Sequence, residues 1–321
     1  MKRELLPLLC CPVCRGDVSL QVSVTDGEHI VSGSLNCEPC GASYPIDREV
    51  PTFVPADDAQ EVLQTTSGFA RNWERFNRIL LEHAALNDEL LHDWIQPQEP
   101  ASFRDSVVLD GGCGMGRWLR VAAAYAPRTV VGVDYSAIAH VAHKNTRALP
   151  QVHVIRADIN QLPLKQAFDH VFSIGVVHHM PDPRRGFASL FNVLKPGGDI
   201  SCWVYGAENN EWITRYLDPI RTGVTSRMPH VALAALTKAL TAELWLTARL
   251  YTKTRAELPY GDYLRHLRRY PFNYLEHIVY DHLVPSIAYY LSREELASWS
   301  ETIGQPLQLE ARNSNSWRIY A

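Results

Sequence analysis

Near its start the chain alternates apolar and polar residues. Residues 18–25 place Val or Leu at every second position, with Ser, Gln and Thr between them, which predicts a half-exposed β-strand. Asp26-Gly27 then supplies a turn, and Ile30-Val31 resumes the apolar pattern. The sequence therefore predicts a small β-hairpin in this region.

From residue 105 onward the pattern changes to short apolar runs. Three of these runs end on an aspartate, at Asp110, Asp134 and Asp158, and successive aspartates are 24 residues apart. Such even spacing is typical of repeated strand and helix units, which predicts an α/β fold with a parallel sheet. All three carboxylates would then lie along the carboxyl edge of that sheet.

Helical periodicity marks two further stretches. Residues 67–91 place apolar side chains at roughly helical intervals, and so do four leucines from Leu233 to Leu244. Residues 206–292 exceed what the sheet requires, whereas residues 307–320 read as a closing antiparallel pair of strands. We expect the long stretch to form a helical lid insertion, with a homodimer interface or an added packing layer as the alternatives.

The composition describes a globular protein of two domains or one enlarged domain. The chain has 321 residues, of which 46% are hydrophobic and 21% charged. Its formal charge of -4 gives no overall attraction to phosphate backbones or anionic lipids. We therefore expect no membrane partner, and the charge disfavours nucleic acid while leaving a local basic patch as the alternative. The apolar stretch Val231–Tyr251 carries Lys238, Glu243 and Arg249, which argues against a membrane span. Because the start lacks a signal-peptide pattern, we expect a cytoplasmic protein.

Five of the seven cysteines lie within the first 40 residues. Cys11 and Cys14 form one C-x-x-C pair, and Cys37 and Cys40 form a second pair 22 residues later. This spacing is typical of two knuckles that hold one tetrahedral Zn²⁺. Since four thiolates leave no position open for water, the zinc is expected to be structural. Cys10 is the alternative to Cys11 as a ligand.

A glycine-rich loop follows the first buried strand. It brings a ligand close to the backbone and to free helix amides. The dinucleotide-binding pattern G-x-G-x-x-G fits poorly, because Arg117 stands where its last glycine should be. The loop instead reads D-x-G-x-G-x-G, with Asp110, Gly112, Gly114 and Gly116.

The beginning of the chain resembles the small zinc-ribbon activator subunit of tRNA, rRNA and release-factor methyltransferases. The likeness rests on Leu8–Cys14, Leu35–Gly41, Tyr44–Asp47 and Val50–Phe53. Such modules also occur fused to methyltransferase domains. We therefore predict a small β zinc-ribbon domain over residues 1–55.

Residues 105–205 resemble class I S-adenosylmethionine (SAM)-dependent methyltransferases. The likeness rests on the glycine loop, Asp134, Asp158, the turn V-x-H-H-x-x-D-P at 176–183 and L-K-P-G-G at 194–198. It implies a Rossmann-like, seven-stranded α/β domain over residues 105–321, with the lid insertion at 206–292 and SAM as cofactor.

The resemblance also implies which residues bind the cofactor. Asp110, Gly112 and Gly114 would border the methionine part of SAM, and Asp134 with Tyr135 the ribose. Asp158 and Ile159 would border the adenine. The backbone at Gly175 would lie near the methyl donor.

Residues 56–104 are predicted to be a linker followed by helices that cover the cofactor. Phe69–Phe76 resembles the aromatic and basic helix that precedes related domains, and an ordinary amphipathic helix is the alternative. On the first interpretation Arg71 contacts the carboxylate of SAM and Trp73 its sulfonium, because a cationic sulfur favours an aromatic face.

His178 and His179 are the candidate catalytic residues. Methyl transfer is an in-line displacement that needs a base only when the acceptor must lose a proton. Imidazoles that follow the fourth strand would suit this role. In the alternative, one ring faces the cofactor and the other faces the core.

The sequence favours a small-molecule acceptor. Methyltransferases of amides and nucleobase amines carry [DN]-P-P-[YF] where this chain has Ser173–Val176. Together with the near-neutral charge, this departure favours an O, C or N nucleophile of a biosynthetic small molecule. The alternatives are an RNA or protein methyltransferase with its activator fused in cis, and a non-catalytic scaffold protein. Arg265–Tyr270 is a basic cluster that could hold a carboxylate or phosphate, and an ordinary solvated face is the alternative.

Overall fold

The computed structural model describes residues 1–54, 75–76, 81–251, 261–285 and 287–321. Within them, the chain forms a four-stranded sheet followed by a seven-stranded sheet that is flanked by helices. The predicted fold class, a small β ribbon ahead of a Rossmann-like α/β domain, is confirmed.

The first sheet, which we call the ribbon, is an antiparallel meander. Its strands are β1 (Ser19–Asp26), β2 (His29–Asn36), β3 (Ser43–Asp47) and β4 (Val50–Pro51). The turn between β1 and β2 contains Gly27 at a φ of 59°, a left-handed conformation that glycine adopts without strain. Leu35 and Ile46 are buried, so one face of the meander packs against the rest of the protein.

The second sheet carries the site described below. Its strands are β5 (Val107–Gly111), β6 (Thr129–Asp134), β7 (Val152–Arg156), β8 (Phe168–Ile174), β9 (Leu194–Tyr205), β10 (Gln308–Arg312) and β11 (Ser316–Tyr320). Their order is β10-β11-β9-β8-β5-β6-β7. Strands β5 to β9 are parallel, and β11 runs antiparallel between β9 and β10. Every residue of β5 is buried, as expected for a strand covered on both faces.

Helices follow most strands of this sheet. They are α1 (Ala84–Ile95), α2 (Arg117–Ala124), α3 (Ala139–Thr146), α4 (Pro183–Phe191), α5 (Asp218–Gly223), α6 (His230–Tyr251), α7 (Gly261–Leu267), α8 (Phe272–Leu283) and α9 (Arg293–Ile303). Side-chain caps define two of the starts. Asp182 accepts the N–H of Arg185 at 3.0 Å, and Ser292 accepts the N–H of Glu295 at 3.1 Å.

Helices α5 to α8 form an insertion between β9 and α9. The long helix α6 packs along α8, and its Leu233, Thr237 and Thr241 are at most 2% exposed. Among the described residues, α6 is also the one helix long and apolar enough to cross a membrane, by length and composition only. Buried positions on the same helix show that part of its surface belongs to the core of this protein.

Backbone hydrogen bonds join the ribbon to the large sheet at two places. Beyond β4, the N–H of Phe53 donates to the carbonyl of Arg156 at 2.8 Å, at the end of β7. Near the first cysteine pair, the N–H of Cys10 donates to the carbonyl of Pro163 at 3.0 Å. One hydrophobic core contains side chains from both sheets. The ribbon is therefore built into the edge of the larger domain.

Candidate functional site

A cavity of about 1070 Å³ lies at the carboxyl edge of the large sheet. Strands β5, β6 and β8 all end there, because parallel strands present their carboxyl ends at one edge. The insertion forms other parts of the wall. The cavity brings together most of the predicted site residues, namely Gly112, Gly114, Asp134, Tyr135, Asp158, Ile159, Gly175 and His179.

The glycine loop has a backbone conformation that only glycine adopts without strain. Gly112, Gly114 and Gly116 have φ values of 89°, 53° and 84°. A Cβ atom on Gly112 would lie 2.3 Å from the side chain of Val176. Any side chain at this position would therefore displace the residues that border the cavity.

Asp110, the last residue but one of β5, is a buried acid that does not itself line the cavity. It is 1% exposed, and both of its carboxylate oxygens are without a hydrogen-bond partner among the described residues. Burial, with the charge of Asp134 adding to it, raises the pKa of Asp110 well above its ordinary value. A cationic group bound beside this carboxyl would favour its ionised form, so the position suits the ammonium group of a ligand.

Asp134 ends β6 and holds the glycine loop in place. Its Oδ2 accepts the N–H of Gly114 at 2.9 Å, and its Oδ1 accepts the N–H and hydroxyl of Ser136 at 2.9 and 2.8 Å. Burial raises the pKa of Asp134 despite these bonds. A second lone pair on Oδ2 remains for a ligand hydroxyl. The bond to Gly114 was not predicted from the sequence, and it links the glycine loop to the end of β6.

The third carboxylate, Asp158, caps a short turn. Its Oδ1 accepts the N–H of Asn160 at 2.8 Å, at the start of the 3₁₀ turn Ile159–Gln161. Ile159 adds an apolar side chain to the cavity wall, and it is 6% exposed. Tyr135 lines the same wall, and its carbonyl accepts the Nε–H of Arg156 at 3.0 Å.

The two candidate histidines have different surroundings. His179 lines the cavity, and its Nδ1 lies 2.7 Å from the carbonyl oxygen of Ile287. Because a carbonyl can only accept, Nδ1 carries the proton and Nε2 keeps a lone pair. Burial lowers the pKa of His179 to about 3. The ring is therefore neutral near pH 7.

His178 is not brought to the cavity. Its side chain is fully buried, and its ring centroid lies 3.9 Å from that of Tyr205. Burial also lowers the pKa of His178 well below its ordinary value. This placement agrees with the alternative in which one histidine of the pair faces the core.

Arg71 and Trp73, the predicted contacts of the SAM carboxylate and sulfonium, lie outside the described residues. The basic cluster at Arg265–Tyr270 contributes His266, Leu267 and Tyr270 to the cavity wall, whereas its arginines are exposed. The predicted anion-binding role of these arginines is therefore not supported at this cavity.

Sequence reasoning missed three residues that line the cavity. Trp203 Nε1, Asn210 Oδ1 and Arg221 Nε are buried atoms without a hydrogen-bond partner among the described residues. Isolated Trp, Asn and Arg residues form no motif. Trp203 lies in β9, Asn210 in the loop after it and Arg221 in α5, so no local sequence signal connects them.

The four predicted metal ligands also come together. The sulfurs of Cys11, Cys14, Cys37 and Cys40 all lie within 4.8 Å of one another. Cys11 Sγ is 3.6 Å from Cys40 Sγ, and Cys14 Sγ is 3.3 Å from Cys37 Sγ. Around a tetrahedral Zn²⁺ with bonds of about 2.3 Å, sulfurs lie roughly 3.8 Å apart. The cluster is thus compatible with zinc, and Cys10 is not part of it.

Two protein families match this chain. Residues 109–202 match the methyltransferase domain family, and residues 2–49 match the Trm112p-like protein family. The chain pairs a Trm112p-like domain with a methyltransferase domain. Both resemblances seen in the sequence are therefore confirmed, and the methyltransferase domain contains the glycine loop and all three aspartates.

The similarity between this chain and its relatives covers only part of each protein. A tRNA U34 carboxymethyltransferase from Pseudoalteromonas atlantica is 32% identical over 133 residues, which are 39% of this chain and 41% of that protein. One from Cellvibrio japonicus is 39% identical over 107 residues, covering 31% of this chain and 33% of that protein. The chain thus spans less than half the length of these relatives. A solved complex of the Haloferax volcanii Trm112 activator with a methyltransferase has a TM-score of 0.36 and 24% identity, covering 46% of this chain and 66% of that chain.

These relatives contradict the small-molecule acceptor predicted above, and with it the expectation that nucleic acid is disfavoured. Two steps of that inference were wrong. The absence of [DN]-P-P-[YF] at Ser173–Val176 argues against one kind of acceptor amine, but it does not tell how large the acceptor molecule is. The formal charge of -4 describes the whole chain, and a local surface can bind phosphates regardless.

Proposed function

We propose that this protein is a SAM-dependent methyltransferase that modifies tRNA, with a zinc-bound ribbon fused in cis. The observation that carries the proposal is the buried, unpartnered carboxyl of Asp110 beside the glycine loop, within a domain that matches methyltransferases. The relatives named for tRNA modification and the Trm112p-like domain support tRNA as the acceptor.

The residues that line the cavity, together with the buried Asp110 just before the glycine loop, fit SAM by their chemistry. Asp110 would take the ammonium of its methionine part, and the free lone pair of Asp134 would accept a ribose hydroxyl. Ile159 would contact the adenine. When bound, SAM supplies a methyl group on a sulfonium, which is ready for displacement. The protein then has to hold donor and acceptor in line and exclude water.

His179 is suited to orient the acceptor. The carbonyl of Ile287 fixes its tautomer, so Nε2 is the ring nitrogen with acceptor character at the cavity. Because burial holds the pKa of His179 near 3, this ring stays neutral from pH 5 to pH 9. The contribution of His179 to the rate should therefore not change over that range.

Zinc is the second part of the proposal. Cys11, Cys14, Cys37 and Cys40 would hold one Zn²⁺ as thiolates, leaving no open position for substrate. Its role would be structural, since so small a sheet buries little apolar surface on its own. The metal would hold the two knuckles next to the segment that carries Pro163.

The test follows label from methyl-labelled SAM into RNA, protein and small-molecule fractions. Purified protein is incubated with total tRNA, and Asp110→Asn is compared with a matched variant, Asp105→Asn, at an exposed site five positions before it. We expect label in tRNA, a loss of about a hundredfold in Asp110→Asn, and no change in Asp105→Asn. Label confined to the protein or small-molecule fraction would contradict tRNA as the acceptor.

A further inference from the structure

Three residues of the cavity wall carry buried polar atoms that lack partners within the part of the chain that the structure describes. Trp203 contributes an indole N–H from β9. The side-chain amide of Asn210 donates to the carbonyls of Gly206 and Asn315, both at 2.7 Å, which leaves its Oδ1 unpaired. Arg221, from α5, contributes Nε. Buried polar atoms are rarely left unsatisfied, so such a set calls for an explanation.

Of the three residues, Arg221 has the strongest need for a partner, because its side chain is charged and buried. It is 5% exposed, and its Nη2 lies 2.5 Å from Oδ1 of Asp218. Burial raises the pKa of Asp218, which weakens it as a counter-charge. A guanidinium cannot lose its proton to escape burial. The guanidinium also hydrogen-bonds Tyr290, but a phenol brings no counter-charge. A buried arginine with an unpaired Nε and one weakened counter-charge therefore favours a second anion.

Arg221 lies close to the predicted acceptor end of the cavity. Its charge adds to the effect of burial in lowering the pKa values of His179 and His282, the latter to about 4. His282 and His179 both line the cavity. An anion bound at Arg221 would thus be near the ring that is placed to orient the acceptor.

Flat rings surround the same space. The ring of Tyr205 stacks on those of His282 and Tyr290, with centroid distances of 5.4 and 5.5 Å and interplanar angles of 18° and 25°. All three residues line the cavity. These rings pack on one another, so they give this part of the cavity a rigid aromatic lining.

We propose that this wall recognises one extruded nucleotide of the acceptor, with Arg221 binding its phosphate. Asn210 Oδ1 would accept from a base N–H, and Trp203 Nε1 would donate to a base carbonyl. The hydrogen-bond acceptor of Asn210, the hydrogen-bond donor of Trp203 and the charge of Arg221 thus complement a base N–H, a base carbonyl and a phosphate. A pyrimidine nucleotide carries all three groups. This inference rests on the proposed function, because it treats the acceptor as RNA.

The test compares uridine 5′-monophosphate (UMP) with uridine by calorimetry on the full chain. We expect UMP to bind about tenfold more tightly than uridine, as expected for one charge-assisted contact. In Arg221→Gln this preference should vanish while uridine binding stays unchanged. The matched control is Arg215→Gln, an exposed arginine of the same insertion, which should keep the preference.

A second measurement needs no variant, in case Arg221→Gln does not fold. Inorganic phosphate should compete with UMP but not with uridine on the wild-type protein. Equal affinities for UMP and uridine, or competition by phosphate against both, would overturn the subsite. The subsite would also be overturned if Arg221→Gln lost affinity for SAM and kept its preference for UMP. In that case the anion that Arg221 binds would belong to SAM.

Failure of this inference is distinguishable from failure of the proposed function. An Arg221-dependent preference for UMP with no label in tRNA would support the subsite and contradict tRNA as the acceptor. Label in tRNA at an unchanged rate in Arg221→Gln would overturn the subsite and leave the proposed function standing.

Discussion

The ribbon and the helical insertion border the same methyltransferase domain in different ways. The ribbon is joined by backbone hydrogen bonds and shares a hydrophobic core with the sheet. The insertion supplies side chains to the cavity, while apolar residues such as Val231 and Leu246 stay 85% and 52% exposed. If the proposed function holds, the ribbon would support the cofactor side of the cavity, and the insertion would contribute the acceptor side.

The ribbon acts directly on the segment beyond the predicted adenine site. Arg15 donates from Nη1 to the carbonyl of Leu162 and from Nη2 to that of Leu164, both at 2.6 Å. This segment directly follows the turn Ile159–Gln161. A change in the ribbon should therefore alter cofactor binding as well as stability.

A half-buried carboxylate, Glu49, joins the ribbon to α3. Its Oε2 lies 2.8 Å from Nδ1 of His29 and 2.8 Å from Nε2 of His143, and Arg147 pairs with its Oε1 at 2.9 Å. Burial alone would raise the pKa of Glu49, but the bonds from Arg147 and His143 outweigh it and lower the pKa to about 2. This contact ties the two domains by charge.

The largest effect is expected from removing a zinc ligand. Cys37→Ser should release the metal and unfold the ribbon, since binding of a structural zinc contributes on the order of 10 kcal/mol. Zinc content per protein and thermal melting measure this. Cys10→Ser is the control, because Cys10 lies outside the cluster and should keep one equivalent of zinc. A Cys37→Ser protein with full metal content would refute the site.

A smaller effect is expected at the contact of the ribbon with the cofactor side. Arg15→Met removes two charge-assisted hydrogen bonds and should weaken SAM binding about tenfold, which calorimetry measures. Arg48→Met, at an exposed arginine of the ribbon, is the matched control and should bind SAM normally. If both variants bind SAM like the wild type, the ribbon does not position this side of the cavity.

Glu49→Gln tests the charged contact through its pH dependence. Because the folded pKa of Glu49 is about 2 and lies below its ordinary value of 4.5, its stabilisation is fully present above pH 4.5 and is lost as the pH falls toward 2. We expect a loss of about 2 kcal/mol in the free energy of unfolding at pH 7. Urea denaturation should show the gap to the wild type closing at pH 3, and a gap independent of pH would contradict this origin.

The smallest effect is expected on the outer surface of the insertion. Leu246→Ser should change the free energy of unfolding by no more than about 0.5 kcal/mol, because the side chain is already 52% exposed. Chemical denaturation at pH 7 measures it. A loss of more than 2 kcal/mol would show that this surface is covered in solution, and the contrast between the two regions would then weaken.

The sequence predicted the parts of the molecule that follow strong local rules. Paired cysteines, the glycine loop and aspartates at strand ends each have a fixed spacing, and the structure brings them together. The residues of the proposed nucleotide subsite follow no such rule. Trp203, Asn210 and Arg221 come from one strand, one loop and one short helix, so only the tertiary fold brings them to one cavity. The role of Glu49 was hidden for the same reason, since its partner His143 lies 94 positions away.

The most direct test of the account is the identity of the methylated product. Total tRNA is incubated with the protein and trideuteromethyl-SAM, digested to nucleosides and analysed by mass spectrometry. We predict one nucleoside that carries the deuterated methyl group with the wild type and with Asp105→Asn, and none with Asp110→Asn. Unlabelled nucleosides from a wild-type protein that binds SAM would contradict the central claim that tRNA is the acceptor.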